Sequence, residues 1–367
     1  MDPRSLTLDR ISVRSFRNLG HVDLDLGPRF NVISGENGQG KTNLLDAVYT
    51  LATSRSFRGA KSEDVILHGE SVASVRGGLT YAGMSREQSV GVERGRRAVR
   101  VDGKRPRTLF EYAAHTPVVV FHPGDTALPA GSGAERRRLL DRVLLHLYPS
   151  GWDELESYRR ASRERQRALY ERGPQARDLD DWEALMVRHG LEVRRMRRDA
   201  ASRVAAAAVP VFERIARGGS AFRAEYQPGA PEDADAYREG LLRNRVVDSR
   251  RGSARVGPHR DDLGLFLEGK AVRGIASQGQ HRLVVLALKA GEIEVIGSVR
   301  GMHPLLLLDD VSSELDEGRT SALFEFIGQR DGQVFLTTTR PGLIDTSASP
   351  RADRRDFHVT RGTVRLG

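Results

Sequence analysis

The chain has 367 residues and no cysteine, which excludes disulfides, thiol chemistry and zinc knuckles and leaves no argument for secretion. Hydrophobic residues make up 39% and charged residues 29%, the balance of a chain that folds around one large core or two moderate ones. A net charge of +9 points to a polyanion such as nucleic acid, although all but five of the 58 basic residues are arginine, a bias that a GC-rich genome would also produce. No apolar run approaches the ~20 residues that cross a bilayer, and the opening MDPRSLTLDRISVRSF carries no signal-type apolar stretch. The expectation is a cytoplasmic protein with no membrane partner.

Residues 6–33 alternate and end in the run Phe30-Asn31-Val32-Ile33, which predicts two strands, the second leading into a glycine loop. Residues 41–54 predict a helix with Leu44, Leu45, Val48 and Leu51 on one face. Residues 63–121 are strand-rich, with turn signals at Arg76-Gly77-Gly78 and Val101-Asp102-Gly103-Lys104. Val118-Val119-Val120-Phe121 predicts a short buried strand, stopped by His122-Pro123-Gly124. From 134 to about 217 the chain is helical and densely charged, and Gly173-Pro174 breaks it into two long helices, an antiparallel arm ended by Gly218-Gly219-Ser220. A strand at 222–226, a helix at 233–248, a strand at 261–267, a helix at 279–296, a buried strand at 304–308 and a last strand at 333–337 follow. Strands and helices alternate at both ends and an all-helical stretch interrupts them. The prediction is an α/β fold: one head domain built from 1–126 and 254–367, with a helical domain, 127–253, inserted.

Gly35-Glu36-Asn37-Gly38-Gln39-Gly40-Lys41-Thr42 matches the phosphate-loop pattern G-x-x-x-x-G-K-[ST] between a buried strand and an amphipathic helix. Glycines let successive backbone N–H groups turn toward phosphate oxygens, and the helix N-terminus adds its positive end. Lys41 would neutralise the β- and γ-phosphates and the Thr42 hydroxyl would ligate Mg²⁺. Leu305-Leu306-Leu307-Leu308-Asp309-Asp310 is a buried strand ending in two acids. In a P-loop enzyme the first acid holds the Mg²⁺ shell and the next residue can orient the attacking water. Ser277-Gln278-Gly279-Gln280 stands directly before an apolar helix and suits a helix start that offers a hydroxyl and N–H groups to an anion. An ordinary N-cap has the same composition.

Phosphate loop, S-x-G-Q before a helix, an apolar strand with two acids, then S-x-x-L-D at Ser312-Ser313-Glu314-Leu315-Asp316 is the order of elements in ABC/SMC-type ATPase heads. Within that superfamily the chain resembles the RecF family, bacterial recombination-mediator ATPases of DNA repair. The matching stretches are Ser15-Phe16-Arg17-Asn18-Leu19, Gly35 through Asn43, Ser54-Arg55-Ser56-Phe57-Arg58, Arg136-Arg137-Arg138-Leu139-Leu140-Asp141, Gly257-Pro258-His259-Arg260-Asp261-Asp262, Ser277 through Gln280, and Leu308 through Asp316. The resemblance implies an ABC/SMC-type head that binds ATP and Mg²⁺ in a homodimer. Gly35, Glu36, Asn37, Gly38, Gln39, Gly40, Lys41, Thr42 and Asn43 would bind nucleotide, with Arg17 and Asn18 near it. Asp309 with Thr42 would hold the metal, and Asp310 with Lys41 would be catalytic. Ser277, Gln278, Gly279 and Gln280 would reach the ATP of the partner subunit, and Asp316 would lie at the dimer seam. It also implies duplex DNA or a single-/double-strand junction as target, RecR and RecO as partners, and help in loading recombinase.

Three departures from the broader ABC pattern matter. Asp310 stands where transporter heads place Glu, and a side chain one methylene shorter implies slow hydrolysis. Phe121-His122-Pro123-Gly124-Asp125 replaces the usual glutamine, and Thr337-Thr338-Thr339 replaces the usual histidine. Two basic clusters are candidates for phosphate contacts: Arg94, Arg96, Arg97, Arg100, Lys104, Arg105 and Arg107, and on the arm Arg194, Arg195, Arg197 and Arg198. Solvated charged faces would look the same. A transporter ATPase subunit and an ATP-stabilised scaffold that need not hydrolyse are the rival readings.

Overall fold

The computed structural model describes residues 5–61, 63–216, 221–310, 324–325, 327–344 and 353–367. In chain order these form β1 (Thr7–Phe16), β2 (Leu19–Asp25), β3 (Phe30–Ser34), α1 (Lys41–Thr53), β4 (Val72–Tyr81), β5 (Met84–Glu93), β6 (Arg96–Val101), α2 (Leu109–Ala114), β7 (Val118–Phe121), α3 (Ala127–Ala130), α4 (Gly133–Leu147), α5 (Gly151–Arg172), α6 (Leu179–Ile215), β8 (Phe222–Gln227), α7 (Ala234–Arg251), β9 (Asp262–Leu267), β10 (Lys270–Ala271), α8 (Gln278–Arg300), β11 (Leu305–Leu308), β12 (Val334–Thr338), β13 (Arg354–Thr360) and β14 (Thr363–Leu366). By internal packing the chain divides into two units, residues 1–125 with 296–367, and residues 126–295. No described helix is long and apolar enough to cross a membrane.

The first unit holds two sheets. One has the order β14-β13-β3-β12-β11-β7, with every neighbouring pair parallel except β13 and β14. The other is antiparallel, in the order β2-β1-β4-β5-β6. Helix α1 touches β7 and β12 of the first sheet and β1, β4 and β5 of the second. Leu44, Leu45, Ala47, Val48, Leu51 and Ala52 are all buried there, in one core with Ile33, Leu307 and Phe335 on one side and Leu8, Val13, Val75 and Val90 on the other. The helix is therefore covered on nearly all sides, where a single apolar face was expected.

Three sequence-based expectations are corrected in this unit. Residues 6–33 make three strands, not two, because Arg17 takes a left-handed conformation (φ 55°) and closes a two-residue hairpin between paired Phe16 and Leu19. The glycines of Arg76-Gly77-Gly78 lie inside β4, and the turn falls at Ala82-Gly83 instead. Gly77 is in the strand for packing, since a Cβ there would come within 2.7 Å of Leu8 Cδ1 and also strike Leu51. The strand at 333–337 is β12, but it is not the last. β13 and β14 follow, with charged residues that hid their alternation, joined by a turn at Arg361-Gly362 (φ 47° and 77°). The turn at Asp102-Gly103 falls where it was predicted (φ 49° and 74°).

In the second unit the stretch before Gly173 is two helices, α4 and α5, with Pro149 between them, and not one. α5 and α6 run antiparallel: Glu154 meets His189 near one end and Arg165 meets Glu183 near the other. Arginines act here as internal struts. Arg165, 1% exposed, pairs with Glu183 and Asp248, both at 2.9 Å, and also donates to the Leu241 carbonyl. Arg197 pairs with Asp141 (2.8 Å) and Asp261 (3.0 Å), and Arg142 with Glu292 (2.6 Å). Residues 254–295 belong to this unit by packing. β9 pairs with β8, and Gly291 lies against the Val204 carbonyl, where a Cβ would come within 2.7 Å. The packing boundary on the return is thus at 296 rather than 254.

Because Gly77 faces two packed leucines, Gly77→Val is expected to lower stability by about 1–3 kcal/mol through overpacking. The checking measurement is the midpoint of urea unfolding.

Candidate functional site

Strand β3 delivers the chain into the glycine loop, and α1 starts at Lys41. Gly35 (φ 148°) lies against the carbonyl of Val359, which a side chain would strike, and at Gly40 (φ 119°) a Cβ would come within 2.8 Å of the Asn18 amide. Lys41 Nζ donates to the carbonyls of Gly35 (2.7 Å) and Glu36 (2.8 Å), so the ammonium sits inside the curve of the loop. Burial pushes its pKa down, and the carboxylates of Asp310 and Asp309 oppose that shift. The Thr42 hydroxyl donates to Asp309 Oδ1 (2.8 Å). The Thr337 hydroxyl donates to the same oxygen (2.8 Å) and accepts the N–H of Asp310 (2.9 Å). Asp310 is held in a left-handed conformation (φ 50°).

These groups face a cleft of ≈ 450 Å³. Its lining comes from the phosphate loop and the start of α1 (Asn37, Gly38, Gly40, Lys41, Thr42 and Asn43), from Asp309, Asp310 and Thr337, and from Phe57, Arg58, His122, Pro123 and Gly124. Among the described residues no group of three or more His, Asp or Glu could hold a metal unaided. Thr42 and Asp309 offer two hard oxygens side by side, a set that fits a small divalent cation whose remaining ligands come from phosphate and water.

The other predicted residues have distinct places. Arg17 and Asn18 form the β1–β2 turn and do not line the cleft. Arg17 donates to Asp46 (2.8 Å) and Ser56 (3.1 Å), while Asn18 donates to the Gln39 carbonyl (3.1 Å) and accepts from Asn43 (2.8 Å). Ser277 and Gln280 bond each other: the Ser277 N–H donates to Gln280 Oε1 (2.8 Å) and the Gln280 N–H to Ser277 Oγ (3.2 Å), a capping box at the start of α8. Ser277 and Gln278 are exposed and Gly279 is half-buried. Asp316 lies outside the described residues.

Several cleft residues were noted in the sequence only as part of matching or departing stretches, with no role at the site. Phe57 and Arg58 are brought in by Asp46, a fully buried carboxylate among the apolar residues of helix α1. It accepts from the Ser56 hydroxyl (2.8 Å) and the Phe57 N–H (3.1 Å) and so pulls the chain after α1 back to the loop. An aspartate inside an apolar helix was the available signal. His122 lies in the segment that lacks the usual glutamine, with its N–H on Asp125 (2.8 Å) and its ring 5.4 Å from Phe57. Two stretches that carried the resemblance instead brace the second unit. Arg136 grips Asp262 through two bonds (2.6 and 2.8 Å), and Arg137 donates to the Asp261 carbonyl (2.7 Å).

Thr337→Val is expected to lower any ATP hydrolysis by about 10–100-fold, since it frees Asp309 and the Asp310 backbone from the group that orients them. Phosphate release checks it, with the melting temperature recorded alongside.

Residues 7–352 match the family model described as the RecF/RecN/SMC N-terminal domain. The DNA replication and repair protein RecF of Anaeromyxobacter sp. (strain Fw109-5) is 39% identical, over 96% of this chain and 97% of its own. Among solved structures, the recombination mediator protein RecF with ATP, of the RecFOR pathway, superposes with a TM-score of 0.88 at 26% identity, covering 99% of this chain and 98% of the other. The Smc head domain from Pyrococcus furiosus shares the fold, with a TM-score of 0.58 at 17% identity and coverage of 99% and 96%. With the phosphate loop, the acidic strand end and the S-x-G-Q helix start all in place, the chain belongs to the RecF family of ABC/SMC-type ATPase heads.

Proposed function

We propose that this protein is an ATP-gated DNA clamp of recombinational repair, in which two copies close around two ATP molecules and hold duplex DNA at the edge of a single-stranded gap. The observation that carries this reading is the convergence of Lys41, Thr42, Asp309 and Asp310 on one cleft, together with the exposure of Ser277 at the start of α8. A chain that carries both a phosphate-binding cleft and an exposed S-x-G-Q helix start holds the two halves of a site that a second copy can complete.

In this mechanism Lys41 leaves the loop carbonyls for the phosphate oxygens, and the loop N–H groups take up the rest of the charge. Thr42 and Asp309 would hold Mg²⁺, which neutralises phosphate charge when bound. Thr337 fixes Asp309 and the backbone of Asp310. Asp310 orients the water, and its short side chain makes hydrolysis slow. Ser277 of one copy exchanges its bond with Gln280 for a γ-phosphate oxygen held by the other. ATP favours the closed dimer only through contacts that exist in the closed state, so loss of the γ-phosphate opens it.

The relatives are named for DNA replication and repair, and the distribution of exposed charge supports one surface for DNA. Arg94, Arg96, Arg100, Lys104, Arg105 and Arg107 on β6 and its flanking turns are exposed. Among the described residues none of these side-chain cations has an acidic partner, and of them only the Arg100 guanidinium makes a hydrogen bond, to the Gly103 carbonyl (3.0 Å). The arm is different: Arg194 and Arg197 are buried, and Arg195 and Arg198 pair with Glu192 and Glu232. Phosphate contacts therefore fall to the β6 edge. RecR and RecO are the proposed protein partners, in keeping with the RecFOR pathway of the ATP-bound relative.

Light scattering with no nucleotide, ADP and a non-hydrolysable ATP analogue is expected to give a dimer only with the analogue, and Ser277→Arg is expected to abolish it. A mass that ignores nucleotide, or a variant that dimerises normally, sinks the clamp. A triple change of Arg96, Arg100 and Arg105 to Ala is expected to weaken duplex binding and to reduce the slope of log affinity against log salt by about 3. An unchanged slope would move the DNA surface elsewhere.

A further inference from the structure

One polar chain reaches the cleft from three parts of the first unit that are far apart in sequence. The β13–β14 turn grips the phosphate loop, the Gly362 N–H donating to the Gln39 carbonyl (2.9 Å) and the Arg361 N–H to Gln39 Oε1 (2.7 Å). Asn18 Nδ2 donates to the same Gln39 carbonyl (3.1 Å). Asn18 fits because both neighbours are glycine: a Cβ at Gly40 would lie within 3 Å of its amide, and one at Gly362 would strike its carbonyl. Asn43 Nδ2 then donates to Asn18 Oδ1 (2.8 Å), which leaves Asn43 Oδ1 facing outward. Arg58 Nη1 donates to that oxygen (3.2 Å). Arg58 is exposed, lines the cleft and has no acidic partner among the described residues.

We propose that Asn18 and Asn43, clamped by the Arg361-Gly362 turn, are positioning residues that aim the Arg58 guanidinium at the phosphate chain of the nucleotide bound in the same protomer. This rests on the reading of the cleft as an ATP site. The amides suit the task. A carboxylate in place of Asn43 would neutralise the cation, whereas a neutral oxygen orients it and leaves its charge for phosphate. The amide orientations are also fixed: the Gln39 carbonyl can only accept, so Asn18 turns Nδ2 to it, and Asn43 then offers its own Nδ2 to Asn18 Oδ1.

The test is a double-mutant cycle on the full chain, read as the affinity for a fluorescent N-methylanthraniloyl ATP, with melting temperatures for every variant. Arg58→Ala and Asn43→Ala are each expected to weaken binding about tenfold, the scale of one hydrogen bond to a charged group. Asn43→Ala added to Arg58→Ala is expected to weaken it no further. A merely structural role for Asn43 would give additive losses, and that result overturns the proposal, as does an Arg58→Ala protein that binds as tightly as the wild type. Asn18→Ala, outside the cleft, carries the same cycle if Asn43→Ala fails to fold. A wild-type protein that binds no ATP analogue overturns the ATP reading and the relay together. Binding that survives in Arg58→Ala overturns the relay alone.

Discussion

The site depends on the enclosure of α1 between two sheets. Lys41 and Thr42 are the first residues of that helix, and the next three turns are pinned by apolar contacts above and below. A helix at the surface could roll or slide by a fraction of a turn. This one would have to open a close-packed core to do so, so its two phosphate-facing side chains are fixed in place before any ligand arrives. The single carboxylate in the sandwich, Asp46, is desolvated, and burial pushes its pKa up. Arg17, Ser56 and the Phe57 N–H offset that cost. The β1–β2 turn and the segment after α1 are thereby held to the helix, and with them Asn18 and Arg58.

What could be read from the sequence was what depends on local pattern. The phosphate loop, the apolar strand ending in Asp309 and Asp310, and the helix starting after Ser277 each carry their signal within about ten residues. Features set by distant neighbours were not legible. Gly77 has the look of a turn residue, and only the leucines packed over it show why a glycine stands in mid-strand. β13 carries Arg354, Arg355 and Asp356 in its first half, so its alternation is masked, and its place beside β3 follows from the sheet alone. The role of Ser277 stayed divided between a cap and a phosphate ligand. In the single chain it is a cap, bonded to Gln280.

The arginine-rich composition also separates into two populations that sequence cannot distinguish. Arg136, Arg165, Arg194 and Arg197 are buried and spent on carboxylates and carbonyls of the second unit, where a planar five-donor group can bridge several elements at once. Arg96 and Arg100 on the edge strand of the antiparallel sheet, and Arg105 just after it, face solvent without acidic partners among the described residues. A net charge of +9 therefore says little by itself, and its distribution over paired and unpaired groups says more.

The parallel pairing of β3 with β12 and β13 joins residues 30–34 to 334–338 and 354–358. On a ribosome, the strand that feeds the phosphate loop is made early and must wait for partners some three hundred residues downstream. The second unit is one continuous stretch, 126–295, and has every partner it needs as soon as it emerges. The nucleotide site is thus completed among the last parts of the molecule, and a chain cut short before β13 would carry every recognisable motif yet lack the strand and turn that hold its loop in shape.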